Sequence, residues 1–231
     1  MEHPVSIAIE TSGPSGGVAL GFGDELERSA TFPARGRHAT QLIRHMDELL
    51  KALSLQPKDL EELYVSVGPG SFTGLRIGVT VARTLAQAVS HLQCVAVPTA
   101  AAVAENSLDL CREHLAVVFE ARDELLYATI FTRRDDRPVA VDTPKVAKLP
   151  EVLAEAPRPL VLVGGCVNSD DIDDEQVTIA EPARATPTAE GVWRAGRRAA
   201  REGAFTDPFQ LLPIYARRPE AERLWDKRHG R

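Results

Sequence analysis

The sequence predicts an α/β protein built from two halves that repeat one element order: three strands, a helix, a strand and a helix. Three observations carry this. Short apolar runs bounded by glycine, proline or aspartate read as strands. Leu42, Met46, Leu49 and Leu53 fall at 4, 3 and 4 spacing, the stripe of an amphipathic helix. A hairpin beginning at Leu115 then restarts the order.

Val5–Glu10 reads as a buried strand and Val18–Phe22 as the next, with the turn-forming run TSGPSGG between them. Gly23-Asp24 turns the chain into a third strand over Glu25–Thr31. The leucine stripe, flanked by Ile43 and Leu50, predicts a helix from about His38 to Leu53. A strand over Leu63–Val67 leads through GPGSFTG into a helix from about Gly74 to Ser90. Val95–Val97 is a strand and Thr99–Leu110 a helix, with Pro98 near its start, where a missing N–H does no harm. The second round opens on Leu115–Glu120 and Leu125–Phe131, joined around Arg122-Asp123-Glu124. Pro138–Asp142 follows as a strand, Leu149–Ala156 as a helix and Leu160–Val163 as a strand. Asn168–Gln176 is an acidic loop, Val177–Ala180 a short strand, and Thr188–Glu202 a helix capped by Thr186 or Thr188. The stretch from Asp135 to Pro159 is expected to be partly loop. Two subdomains are expected, residues 1–104 and a more divergent 105–231 that includes the C-terminal segment.

The chain has 231 residues, 44% of them hydrophobic, enough for a sizeable core and against disorder throughout. Its net charge of −6 speaks against a global polycation for nucleic acid or membrane. The charge is uneven: −2 over residues 1–104, −9 over 105–190 and +5 over 191–231. The basic end reads as a solvated helix and tail, or as a contact for a polyanion. Cys94, Cys111 and Cys166 are far apart and form no CxxC, which fits reduced thiols in a cytosol. The N-terminus lacks the basic and apolar regions of a secretory signal. The longest nearly apolar stretch, Cys94 to Ala104, falls short of the roughly 20 residues a membrane span needs. A soluble, cytoplasmic protein is expected.

Two glycine-rich loops are candidate phosphate sites. In the first, Glu10, Thr11 and Ser12 precede the hairpin glycines, whose N–H groups can form an anion-binding concavity, with the acid placed to orient a hydrated metal. The same residues fit a tight turn in which Thr11 and Ser12 satisfy local backbone groups and Glu10 points to solvent. In the second, Gly68, Gly70, Ser71 and Thr73 lie where a strand enters a helix N-terminus, a natural seat for an anion. Neither loop is a Walker A motif. The alternative is a rigid turn with Ser71 or Thr73 as N-cap. Along the following helix Gly74, Gly78, Ala82 and Ala86 recur every four residues. Glycine inside a helix costs roughly 1 kcal/mol relative to alanine, so something packs against this stripe, either the protein's own sheet or a helix of a partner. No metal ligand set is signalled. His38 and His45, the nearest helix pair, stand about 10 Å apart along the axis and read as surface or interface residues.

Four segments, IAIETSGPSGGVAL, GRHATQLIRHMDELL, VSVGPGSFTGLRIGVTVARTLAQA and VAVPTAAAVA, follow one another over residues 7–104. In content and spacing they resemble the TsaB (YeaZ) family, with GPGSFTGLRIG, Gly68 to Gly78, the most specific piece. Beyond residue 104 the resemblance is weaker, resting on FEARDELLYATIF and PIYARRPEAERLW. It implies the duplicated actin, Hsp70 and sugar-kinase fold, each half a ribonuclease-H-like βββαβα unit. It also implies a non-catalytic scaffold that pairs with its paralogue TsaD. With the ATPase TsaE joining them, that pair transfers threonylcarbamoyl to the adenosine 3′ of the anticodon, in tRNAs reading codons that begin with A. Contact with tRNA is then through the complex, and self-pairing of the isolated chain is an open alternative. No cofactor and no catalytic residue are implied.

The resemblance places the partner contact on the first two helices, where the residues expected to carry it are Leu42, His45, Met46, Leu49, Gly74, Gly78, Ala82 and Arg83. The metal-binding HxxxH pair of TsaD corresponds to Thr99 and Val103 here, neither of which replaces an imidazole. Glu10 stands where the family has aspartate, Glu120-Ala121-Arg122 where it has Asp-Ala-Arg, and Gly164-Gly165-Cys166 lacks an expected acid. All three departures weaken a nucleotide site and leave a scaffold intact. The competing reading is an ATP-binding enzyme of the same superfamily, a small-molecule kinase, an ATPase or a metallopeptidase-like protein, supported by the two glycine-rich loops.

Overall fold

The computed structural model describes residues 3–33, 38–168, 170, 172–216 and 225. Residues 217–224 of PIYARRPEAERLW, and Ser169 and Asp171 of the acidic loop, lie outside the described residues. β1 (Val5–Glu10) is buried along its whole length, which is why its sequence, VSIAIE, carries no charge before its last residue. A strand covered on both faces needs apolar or small side chains at every position. β1 pairs antiparallel with β2 (Ser15–Phe22), Ile7 opposite Leu20, and parallel with β4 (Glu62–Gly68), Ile7 opposite Leu63. β3 (Glu25–Pro33) and β5 (Gln93–Pro98) complete a sheet of order β3-β2-β1-β4-β5.

The two faces of this sheet are covered differently. Ile7, Ile9, Leu20 and Leu63 face one core with α1 (His38–Ala52) and α2 (Phe72–Ala88). Ala8, Ala19, Tyr64 and Val95 face another with α5 (Ala189–Arg201). The second sheet consists of β6 (His114–Glu120), β7 (Leu125–Arg134), β8 (Arg137–Ala140), β10 (Leu160–Val163) and β11 (Val177–Ile179), in the order β11-β10-β6-β7-β8. β9 (Lys145–Lys148) pairs with the near half of β7 while β8 pairs with its far half. Leu115 and Val117 face α3 (Thr99–Asn106), and Ala116 and Val118 face the core of α4 (Leu149–Glu155). The layers are therefore α1 and α2, first sheet, α5 with α3, second sheet, α4.

The middle layer exchanges helices between the halves. α3 follows the first sheet in sequence and contributes Ala100, Val103 and Ala104 to the core of the second. α5 follows the second sheet and packs on the first. Trp193 Nε1 donates to Ser6 Oγ at 2.9 Å, and Arg197 bonds Glu62 at 3.1 Å and Asp24 at 3.0 Å. Thr188 is the N-cap of α5, its hydroxyl accepting from the Gly191 N–H at 3.1 Å. A methyl at Gly191 would lie 2.4 Å from the Ala102 carbonyl oxygen, so glycine is what lets the two helices meet.

Three elements differ from the sequence expectation. α3 stops at Asn106, four residues early, where the Asn106 amide donates to the Thr186 carbonyl and leaves the helix for the loop before α5. β9 is a strand that sequence spacing did not signal. The segment from Asp135 to Pro159 is more regular than expected, because β8, β9 and α4 occupy most of it. Among the described residues no helix is long and apolar enough to cross a membrane.

Candidate partner face and the closed glycine loops

α1 turns its apolar stripe inward. Leu42, Met46 and Leu49 are 0, 5 and 7% exposed and share one core with Val18, Leu20 and Phe32. His45 is half-buried, stacked on Phe32 with ring centroids 5.3 Å apart, and its Nδ1 stands 3.0 Å from Glu48. The small stripe of α2 also turns inward. A methyl at Gly74 would meet the Thr11 carbonyl oxygen at 1.8 Å, and one at Gly78 the Thr11 hydroxyl at 2.4 Å. Ala82 is fully buried in the same core. Leu42, Met46, Leu49, Gly74, Gly78 and Ala82, the residues expected to meet a partner, pack against the first sheet, and Met46 also lines a surface groove. Close approach of α2 to β1 needs residues as small as Gly74, Gly78 and Ala82.

What α1 leaves outside is Ile43, 52% exposed. It borders an apolar groove of about 820 Å3 that is also lined by Thr40, Met46, Leu50, Leu60 and, from α2, Leu85. Arg83 is half-buried on α2. Spacing could not single out Ile43, because periodicity reports the buried stripe and an outward apolar residue is aperiodic by nature.

The glycine loops are closed against each other. The Ser71 N–H donates to the Ser12 carbonyl at 2.7 Å, and the Thr11 hydroxyl to the Gly74 carbonyl at 2.8 Å. A methyl at Gly70 would lie 2.6 Å from Ser12 Cβ. Ser71 is the N-cap of α2, accepting from the Gly74 N–H at 3.3 Å, while Thr73 is exposed. Glu10 does not point to solvent. It is 1% exposed, and its Oε1 accepts from the N–H groups of Ser12 and Gly13 and from the Ser12 hydroxyl. Three N–H groups that would hold a phosphate, those of Ser12, Gly13 and Ser71, are thus already spent inside the chain. Among the described residues no group of three His, Cys, Asp or Glu stands together as for a metal ion.

The C-terminal segment straps this corner, which sequence reasoning missed. Thr206 N–H donates to the Cys94 carbonyl at 2.7 Å, and Ile214 N–H to the Val67 carbonyl at 2.6 Å. Gly68 has φ +118°, open only to glycine, and any side chain there would strike the Ile214 carbonyl. Tyr215 lies on Phe72 with centroids 4.9 Å apart, and the Arg76 guanidinium covers the Phe72 ring at 3.9 Å. Exposed Phe209 and Leu212, 64 and 66% accessible, sit in the same strap.

Comparison with known proteins now decides the family. A model described as TsaD, tRNA N6-adenosine threonylcarbamoyltransferase, matches residues 33–159, more than half the chain. A Bacillus subtilis (strain 168) protein named tRNA threonylcarbamoyladenosine biosynthesis protein TsaB is 28% identical over 231 aligned residues, 95% of this chain and 96% of its own. The chain belongs to the TsaB (YeaZ) family. The YeaZ structure from Pseudomonas aeruginosa shares the fold at TM-score 0.77 and 21% identity, covering 92% of this chain and 99% of its own. A further structure is described as an uncharacterized protein with similarity to peptidase YeaZ from Pseudomonas aeruginosa. It matches at TM-score 0.78 and 22% identity, over 93% of this chain and all of its own.

In this TsaB-family chain the two positions expected to correspond to an HxxxH pair, Thr99 and Val103, are packing positions. Thr99 is 1% exposed and its hydroxyl donates to Ser12 Oγ at 3.2 Å, while Val103 is fully buried in the α3 core. In the second half, Glu120 lies at the exposed end of β6. A methyl at Gly164 would strike Val118, whereas one at Gly165 would meet open space.

Proposed function

We propose that this chain is a non-catalytic subunit for making threonylcarbamoyladenosine in tRNA. It pairs with a TsaD-type subunit through the outward face of α1 and α2. With TsaE it supports threonylcarbamoyl transfer to the adenosine 3′ of the anticodon, in tRNAs reading codons that begin with A. It works in the cytoplasm and meets tRNA through the complex. If the isolated chain pairs with itself, it uses the same face.

The observation that carries this reading is a contrast between two surfaces. The groove beside Ile43 is open and apolar, as a helix-packing partner requires. The glycine loops are filled by the chain's own groups. The names of the relatives support the pathway.

Depletion of the protein is expected to lower threonylcarbamoyladenosine in cellular tRNA, measured by nucleoside mass spectrometry, while other modifications persist. An unchanged level would overturn the reading and bring the ATP-binding enzyme forward. Titration of Mg-ATP into the isolated chain is expected to show no micromolar binding; a micromolar isotherm would favour the enzyme.

A further inference from the structure

Glu10 closes β1 with a carboxyl group whose two oxygens are treated differently. Oε1 accepts three hydrogen bonds, from the Ser12 N–H, from the Ser12 hydroxyl at 2.6 Å and from the Gly13 N–H at 3.1 Å. Oε2 is buried without a partner, and so is the Ser66 hydroxyl on adjacent β4. Two orphaned polar atoms are costly in a low-dielectric interior. Ser66 stands beside the carboxyl, so a small turn of its hydroxyl toward Oε2, which then accepts, satisfies both atoms. Burial is the largest influence on this acid and raises its pKa, opposed by the hydrogen bonds from Ser12 and Gly13 and by the nearby Ser66 hydroxyl. No charged side chain is among these influences.

We propose that the Thr11–Pro14 turn is a self-liganded oxyanion seat, in which the Glu10 carboxyl occupies the place of a bound carboxylate, and that shortening residue 10 opens the seat to a small free carboxylate. The backbone N–H groups of Ser12 and Gly13 and the Ser12 hydroxyl converge on one oxygen, the donor arrangement of an anion-binding turn. The ligand class follows from the size of the hole. Truncation at Cβ removes a CH2 and a carboxyl, which formate or acetate replaces. A nucleotide phosphate is too large, because the Ser71 N–H to Ser12 carbonyl bond closes the seat from the α2 side. This inference is independent of any pairing with TsaD.

The test uses thermal melts of the full chain and two variants in formate, acetate or chloride at equal ionic strength. Glu10→Ala is expected to melt below wild type. Formate and acetate are expected to raise its Tm by several degrees, saturably, while chloride does not, because binding to the folded state alone stabilises it. Wild type is expected to respond to formate no more than to chloride. Glu10→Gln is expected to keep the wild-type Tm, its amide oxygen taking the three donors and its N–H reaching Ser66. Equal responses of Glu10→Ala to formate and chloride overturn the proposal. Should Glu10→Ala not fold, Glu10→Gln decides. A wild-type Tm supports the seat, and a Tm well below wild type refutes it.

Discussion

A Gly74→Leu variant is expected to lose about 3 kcal/mol or more of folding stability, read as a fall in the denaturant midpoint with unchanged slope. The added Cβ would lie 1.8 Å from the Thr11 carbonyl oxygen, a backbone atom that cannot swing aside. Thr11 is itself fixed, since its hydroxyl donates back to the Gly74 carbonyl at 2.8 Å. Relief therefore requires α2 to lift from β1, which opens the core around Val79 and Ala82. Helix propensity pulls the other way, by roughly 1 kcal/mol in favour of a non-glycine residue, and loses to the clash. Gly78 offers a graded comparison. Its neighbour at 2.4 Å is the Thr11 side-chain oxygen, which can swing aside by giving up its bond to the Gly74 carbonyl, so Gly78→Ala is expected to cost about that one hydrogen bond, less than Gly74→Leu. A Gly74→Leu protein with the wild-type midpoint would mean that α2 is not seated on β1 as described. The same variant failing to bind a TsaD-type subunit would report unfolding and not an interface.

The contrast between these two glycines marks what was legible in the sequence. Spacing correctly isolates a stripe against which something packs, because small residues every four positions have a steric meaning in any helix. It does not say what packs there. The Leu42, Met46 and Leu49 stripe has the same ambiguity: periodicity identifies a covered face, and only the tertiary arrangement shows that the cover is Val18, Leu20 and Phe32. Strands were read well where both faces are buried, as at Val5–Glu10 and Leu160–Val163, since continuous apolar runs leave little choice. β9 escaped notice because four residues, two of them lysine, carry no period. The strap from Thr206 to Tyr215 escaped for a different reason. Its contacts with Cys94, Val67 and Phe72 span more than a hundred residues of sequence and obey no local pattern.

Glu10 shows how a local reading can be half right. The hydrogen-bonding turn was legible in Thr-Ser-Gly, but the side chain that completes it was assigned to solvent or to a metal. The reason is geometric. An acid at the end of a strand buried on both faces has no route to water, so it folds back on the N–H groups two and three residues ahead. The exchange of α3 and α5 between the halves has a similar origin. Tyr64 and Trp193 are both large, and the fit works because Gly196 of α5 lies flat on the Tyr64 ring, a match between residues 132 positions apart that no window of sequence contains.

Under the proposed function, Ile43→Glu is expected to weaken binding to a purified TsaD-type subunit by about thirtyfold or more, equivalent to about 2 kcal/mol, with the folding midpoint held. The two halves of that expectation come from different surfaces of one helix. Residue 43 is half-exposed, and substitutions away from the core usually move stability by less than about 0.5 kcal/mol. Its neighbours Leu42 and Met46 hold the helix on the sheet whether or not Ile43 is present. At a partner surface the same side chain is the apolar anchor beside a groove lined by Leu50, Leu60 and Leu85, and a carboxylate buried there would find the groove's Arg44 already paired with Glu48 at 2.8 Å. Asp47 also lines that groove, so the introduced charge meets a like one. Binding of Ile43→Glu at wild-type affinity would remove α1 from the partner surface. Attention would then pass to exposed Phe209, whose turn packs beside α2, and to exposed Leu212 on the same strap.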